Sequence, residues 1–340
     1  MKKVDIKEVA RKAGVSIATV SRAFNDSSRV KAPTKEKIQK ISKELNYIPN
    51  PIARSLSKKS SETIGVVLPD LFGEFFMDII HGIDEEAYKH NWFVILSSSH
   101  SKRNILETLV EFMGSGRVDG VILMAPQIDE RINEIIKKSK RPVVLINAGD
   151  SVDINCGANF KINNFEGAYN ITEHLIKTHN YKKIGFVSGP KDNYDALERA
   201  KGYYKAMHKN GLTVDESLVV PGNFLLESGY AGLKKLLNNK IVPDAVVMAN
   251  DMMAVGAYQA AKELGYKIPD DIAVVGFDDI YLSQFLAPRL TTVHVPIQDL
   301  GRKAVLQLLE ITMNKKKNHK PYIETLPTNL IIGGSCGCGR

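Results

Sequence analysis

The sequence predicts an α/β protein in which a small, strongly basic all-helical head precedes a large body of parallel sheet covered by helices. Three observations carry this. Residues 1–60 hold fifteen Lys and Arg against five Asp and Glu, a balance of +10, which leaves the other 280 of the 340 residues at about −2 within an overall +8. Apolar residues in that basic stretch recur at spacings of three and four, as on one face of a helix. From residue 62 the pattern changes to nearly continuous apolar runs alternating with amphipathic stretches, as in parallel sheets covered on both faces. A basic module on a near-neutral body is the electrostatic footprint of a nucleic-acid-binding head.

The head reads as three helices. "DIKEVARKA" opens with Asp5 as N-cap and Glu8 three residues later, and Ile6, Val9, Ala10 and Ala13 share a face. Gly14 breaks it. Ser16 caps a second helix running to about Phe24, with Val20 on its inner side. After the loop "NDSSRVKAP", Thr34 is expected to cap a third helix carrying Ile38, Ile41 and Leu45. Two helices joined by a tight Gly-containing turn and closed by a third make a helix-turn-helix.

In the body the strand-like runs are "TIGVVLP", "WFVILSS", "VDGVILMA", "RPVVLIN", "KKIGFVSG", "DAVVMAN" and "DIAVVGFD". Ligands of such sheets bind beyond the carboxyl ends of the strands, so the residues just after each run are the ones to inspect.

Several classes are excluded. No stretch approaches the ~18 apolar residues of a membrane span, and "MKKVDIKEVARKAG" has no apolar core, so a cytoplasmic, nucleoid-associated protein is expected. Cys156, Cys336 and Cys338 are too few for a disulfide framework. The C-x-C in "SCGCGR" reads as a reduced, frayed tail, with a metal or redox role as the lesser alternative, because scattered thiols without a neighbouring histidine make a poor zinc set. There is no G-x-S-x-G, H-E-x-x-H or phosphate-binding loop, and the eight histidines show no metal spacing. No enzyme, no cofactor and no metal are expected.

The run "IKEVARKAGVSIATVSRAFN…VKAPTKEKIQKISKELNYIPNPIARSLSKKSSETIGVVLPD" closely resembles the N-terminal signature of the lac-repressor (LacI/GalR) family of bacterial transcription regulators. The resemblance implies a helix-turn-helix domain over 1–48, a hinge helix over 49–60, and an effector-binding and dimerisation domain over 61–340. The last would be a periplasmic-binding-protein-like pair of doubly wound subdomains, about 61–161 with 291–320 and about 162–290 with 321–335. A homodimer would then bind double-stranded, near-palindromic operator DNA as a repressor under the control of a small molecule. No heptad repeat follows residue 320, which disfavours a tetramerising coil.

For DNA, the resemblance points to Ser16, Ile17, Ala18, Thr19, Ser21, Arg22 and Asn25 in the second helix, and to Asn50, Ala53, Arg54 and Leu56 in the hinge. Ile17 and Ala18 suit contact with thymine methyls, and Arg22 is the main polar reader. Leu56 holds the position of a minor-groove wedge. Asp5 stands where the family usually has Thr, and Pro51 replaces a usual Ala. For the effector, the resemblance points to Phe75, Phe76, Arg199, Phe224, Asn250 and Asp278. A charged fork, a carboxylate, a carboxamide and flat apolar faces suit vicinal hydroxyls, so a sugar or sugar derivative is expected. Phe75 and Phe76 could instead be core, and Asp251 and Asp279 helix caps. Asn163 replaces a frequent Asp and weakens any transfer of contacts there. A nucleobase or a partner protein as co-repressor remains open, as does a sugar-binding receptor without gene control, which the basic head argues against.

Overall fold

The computed structural model describes residues 4–25, 30–48, 60–69, 73–98, 105–125, 128–149, 157–313 and 322–339. Two compact units result: residues 1–63 with 115–119, and residues 64–114 with 120–340.

The first unit contains α1 (Ile6–Ala13), α2 (Ile17–Asn25) and α3 (Ala32–Glu44). Asp5 caps α1 by accepting from the Glu8 amide at 3.0 Å, and Gly14, in the left-handed region at φ 69°, ends it. Ser16 Oγ accepts from the Thr19 amide at 3.1 Å and starts α2. Thr34 does not cap α3, contrary to expectation. The helix begins three residues earlier than such a cap implies, at Ala32 instead of Lys35, with no side-chain cap. Pro33 suits that first turn because its fixed φ is helical and its missing N–H would have no partner there. Val9, Ala13, Val20 and Ile38 are buried together, with Phe24 and Tyr47 packed at the edge, ring centroids 6.1 Å apart.

Among the described residues the second unit holds two large sheets and a two-stranded one. The first has six strands in the order β11-β5-β4-β3-β1-β2: β1 (Thr63–Leu68), β2 (Phe93–Ser98), β3 (Gly120–Met124), β4 (Val143–Ile146), β5 (Ala158–Ile162) and β11 (Tyr322–Leu326). The second has four in the order β7-β6-β8-β9: β6 (Ile184–Val187), β7 (Val219–Val220), β8 (Ala245–Met248) and β9 (Ala273–Val275). The ladders β1/β3, β3/β4, β4/β5 and β5/β11 are parallel, as are β6/β7, β6/β8 and β8/β9. Every residue of β1, β3, β4, β6 and β8 is buried, as double covering requires. β2 departs from this pattern. It lies at the sheet edge, and Phe93 is 73% exposed.

The helices are α4 (Glu74–Lys89), α5 (Ile105–Gly114), α6 (Glu130–Lys138), α7 (Asn164–His179), α8 (Tyr194–Lys209), α9 (Leu226–Leu237), α10 (Asp251–Leu264) and α11 (Ile297–Met313). The chain leaves the first sheet after β5 for α7 and β6. Its last crossing differs from expectation. β10 (Thr292–His294) pairs antiparallel with β12 (Asn329–Ile331), outside the first sheet, and α11 then packs on α4. β11 joins β5, so residues 322–326 belong to the first lobe and the last crossing falls after Leu326 instead of near residue 321. No periodicity marks such a crossing, because all three strands are short and similarly apolar.

Candidate functional site

Both sheets carry the strand order that places a topological switch beside their first strand, and the loops at their carboxyl ends meet around one cavity of about 540 Å³. That volume falls in the range of small-molecule sites. Phe75, Phe76, Arg199, Phe224, Asn250 and Asp278, the six residues named from the sequence, all line it. Phe75 and Phe76 sit in the first turn of α4, edge to face at 5.5 Å, partly buried.

Arg199 projects from α8 and is only 3% exposed. Its Nη2 donates to Asp278 Oδ1 at 2.9 Å, its Nε to Asn164 Oδ1 at 2.8 Å and its Nη1 to the Ala249 carbonyl at 2.6 Å. Three of the five guanidinium N–H groups are thus committed. The guanidinium carbon lies 3.8 Å from the Phe277 ring centroid and 5.5 Å from that of Phe224. Burial in an aromatic and carboxylate cradle fixes the fork.

Three residues of this network were not singled out from the sequence: Asn147, Asn164 and Asp195. Asn164 Nδ2 donates to Asp195 Oδ1 at 2.8 Å, and Asn147 Nδ2 donates to Asp195 Oδ2 at 3.2 Å. Asn147 follows β4 of the first lobe and Asp195 opens α8 of the second, so this bond joins the lobes. Glu74 Oε2, accepting from the Leu282 amide at 3.1 Å, joins them again. One signal was readable: Asp195 precedes Arg199 by four residues, the spacing that puts two side chains on one helix face. Asn163 has a different role, capping α7 by accepting from the Glu166 amide at 3.3 Å. Asn does that as well as Asp, so the departure at 163 leaves the network intact.

Burial pushes the Asp278 carboxyl up to about 6 even though Arg199 pulls it down. Burial likewise raises Asp195 to about 6, opposed by Arg199 and helped by the charge of Asp278. Desolvation therefore outweighs pairing here. Asp251, fully buried, is raised well above the ordinary range by burial and by Asp278. It neither caps α10 nor faces the cavity. It accepts from Thr292 Oγ1 at 2.6 Å and from the Ile280 amide at 3.0 Å, bracing the segment that presents Asp278.

Three residues of the cavity wall hold backbone conformations that non-glycine residues rarely adopt, Phe224 at φ 68°, Asp278 at φ 114° and Asn147 at φ 51°. Asn250 explains the first. It caps α10 by accepting from the Met253 amide at 3.0 Å, and its Nδ2 donates to the Phe224 carbonyl at 3.0 Å. Its carboxamide is thereby engaged at both ends, so the residue expected to touch the ligand chiefly holds Phe224. Gly189 completes the seat, since a Cβ there would stand 2.4 Å from the Phe224 ring.

In the head, Ile17, Ala18 and Arg22 are exposed on α2, while Thr19 and Ser21 are half-buried. The Ser16 and Thr19 hydroxyls bond each other at 2.8 Å. The Asn25 side chain and all of Asn50, Ala53, Arg54 and Leu56 lie outside the described residues.

A description of bacterial regulatory proteins of the lacI family matches residues 5–50, and one of periplasmic binding protein-like domains matches residues 172–336. The HTH-type transcriptional repressor PurR of Haemophilus influenzae (strain PittEE) is 34% identical over 329 residues, covering 96% of this chain and 97% of its own. The chain belongs to the lacI family. Catabolite control protein A of Priestia megaterium is 35% identical over 92% of the regulator and 93% of its own length. The lac repressor dimer bound to operator and the anti-inducer ONPF superposes with a TM-score of 0.87 at 30% identity, covering 98% of the regulator and 99% of that chain. The CelR–cellobiose complex gives 0.74 at 28% identity with the same coverage. These relatives are transcriptional regulators, and this chain shares their family and their fold. Among the described residues no helix is long and apolar enough to cross a membrane.

The structure corrects one expectation away from the cleft. The histidines do not stand apart from the thiols: His174 and His179 of α7 meet Cys336 and Cys338.

Proposed function

We propose that this lacI-family regulator is a dimeric repressor whose cleft takes a sugar or sugar derivative and whose two heads bind the half-sites of a near-palindromic operator. The observation that carries the ligand reading is the buried Arg199–Asp278 pair on the cavity wall. Two guanidinium N–H groups and the second carboxylate oxygen form a donor–acceptor fork suited to vicinal hydroxyls. Phe75, Phe76 and Phe224 supply flat apolar faces for the C–H side of a pyranose or furanose ring. Cellobiose and ribose are the ligands named for two structural neighbours, which agrees with this chemistry.

On the DNA side, Ile17 and Ala18 lie against thymine methyls and Arg22 donates to a guanine edge in the major groove. Ser16, Thr19 and Ser21 bond phosphates and set the register. The dimer reading rests on an apolar face of the first lobe. Met77 and Tyr88, eleven residues apart and so on one side of α4, are 55% and 80% exposed, beside the bare edge strand with Phe93. The lobes are joined by three chain crossings and by the Asn147–Asp195 bond. A ligand in the cleft therefore changes how the lobes lie together, and through them the separation of the heads. A coupling of about 1–3 kcal/mol is typical of such switches.

Isothermal calorimetry with a broad panel of mono- and disaccharides tests the ligand class. At least one sugar should bind, and Asp278→Asn should abolish that binding. If nucleobases or nucleosides bind while every carbohydrate fails, the sugar reading is wrong.

A further inference from the structure

At the far end of α7 from the cleft, the chain assembles four soft ligand atoms from two distant segments. His174 and His179 come from the last turns of the helix. Cys336 and Cys338 come from the turn after β12, about 160 residues later. The Cys336 Sγ to His174 Nε2 distance is 3.5 Å, Cys338 Sγ to His174 Nε2 3.7 Å and Cys338 Sγ to His179 Nε2 3.3 Å. All four ligand atoms lie within 4.8 Å of one another. A tetrahedral zinc site with bonds of about 2.3 Å to sulfur and about 2.0–2.1 Å to nitrogen has sulfur–nitrogen edges of about 3.6 Å. The three distances bracket that edge.

We propose that His174, His179, Cys336 and Cys338 form a structural Cys2His2 site for Zn2+ that ties the C-terminal segment to α7.

The surroundings serve such a site. The Thr178 hydroxyl meets His174 Nδ1 at 3.2 Å, which orients the ring and leaves Nε2 for the metal. His179 is stacked on Tyr181 at 5.4 Å, and the Tyr181 hydroxyl donates to the Cys336 carbonyl at 3.2 Å. Thr291 Oγ1 donates to Cys336 Sγ at 3.1 Å, a hydrogen bond that favours a thiolate. Gly337 at φ 105° makes the turn that aims both sulfurs the same way, and a Cβ there would press on His179 and Tyr181 at 3.3 Å. The C-terminus of α7 adds the negative end of a helix dipole, which favours a cation. Two thiols lose their protons to solvent when the metal binds. Two thiolates, two neutral imidazoles and Zn2+ then sum to a neutral cluster, which suits partial burial. Cys336 is fully buried while Cys338 and both histidines are partly exposed, so an ion has a way in.

Hydrogen bonding alone accounts poorly for the cluster, because a single atom, His174 Nε2, faces both sulfurs. Among the described residues no carboxylate or ammonium bonds any of the four groups.

The test uses the full chain, purified under reducing conditions without chelator and then supplied with Zn2+. One zinc per chain should be retained through desalting. Co2+ in its place should show the intense visible absorption and the sulfur-to-metal charge transfer of tetrahedral thiolate coordination. His179→Gln and Cys338→Ser, both at partly exposed positions, should lose the metal and the spectrum while still folding by circular dichroism. Chelator should lower the Tm of the parent and leave that of the variants unchanged. The proposal is overturned if the reduced chain takes up no stoichiometric zinc, if both variants keep it, or if the fresh protein carries a Cys336–Cys338 disulfide.

Discussion

In the head, the groups offered to a partner are those left over once one helix face has gone into the core. Val20 and Ala23 of α2 are buried, and Ile17, Ala18 and Arg22 on the other side are exposed. In the cleft the order is reversed. Arg199 and Asp278 are buried and bonded to each other, Asn164 links Arg199 to the buried Asp195, and a molecule in the cavity would meet only the few N–H groups and oxygens this network leaves over. The head can therefore change its reading residues without touching its fold, whereas a change in the cleft alters stability and recognition together.

The largest expected effect follows from this. Arg199→Ala leaves Asp278 and Asn164 buried without their partner and should lower stability by about 3–5 kcal/mol at neutral pH. Urea unfolding measures it, and a loss below 1 kcal/mol would show that the network is not the structural keystone the cleft requires. Arg22→Ala is the counterpart in the head. It should weaken specific DNA binding by about 1–3 kcal/mol while leaving the urea midpoint in place. A matching loss of stability would erase the contrast.

Asn250→Ala is intermediate. Loss of the α10 cap should cost about 1 kcal/mol of stability, and release of the Phe224 carbonyl should weaken effector binding more than that. Calorimetry beside thermal melts separates the two, and equal losses would reduce Asn250 to a cap.

Titration supplies the smallest effect. Burial raises Asp195 and Asp278 to about 6, from an unfolded value near 3.8. Between those values the folded chain holds more protons than the unfolded one, so these two groups make stability fall as pH rises from about 4 to about 6, after which their contribution is constant. A ligand hydroxyl donating to either carboxylate favours its ionised form. Effector binding near pH 6 should therefore release a fraction of a proton, seen in calorimetry across buffers of different ionisation enthalpy, and none at pH 8. Proton uptake would contradict the assignment.

The same contrast explains what could be read from the sequence. The head was legible because its core is local: Ile6, Val9, Ala10 and Ala13 announce one helix face, and Val20 and Ile38 continue it. Only the start of α3 was misplaced, where Pro33 initiates the helix ahead of Thr34. The cleft residues that follow strands were legible by position. Asn147 and Asn164 also follow strands, β4 and β5, but position alone did not single them out, because their role runs through Asp195, 48 and 31 residues away in the chain. The His–Cys cluster was hidden for the same reason, with its histidines five positions apart and its thiols some 160 residues further on. Contacts of that separation leave no local period.

The central claim is that occupancy of the cleft sets the affinity of the heads. The direct measurement is fluorescence anisotropy of the full chain on a duplex it selects from a random library, with and without the sugar that calorimetry identifies. The account predicts a change in Kd of about 5–150-fold, absent in Asp278→Asn. A sugar that binds the cleft and leaves the Kd for DNA unchanged would contradict it.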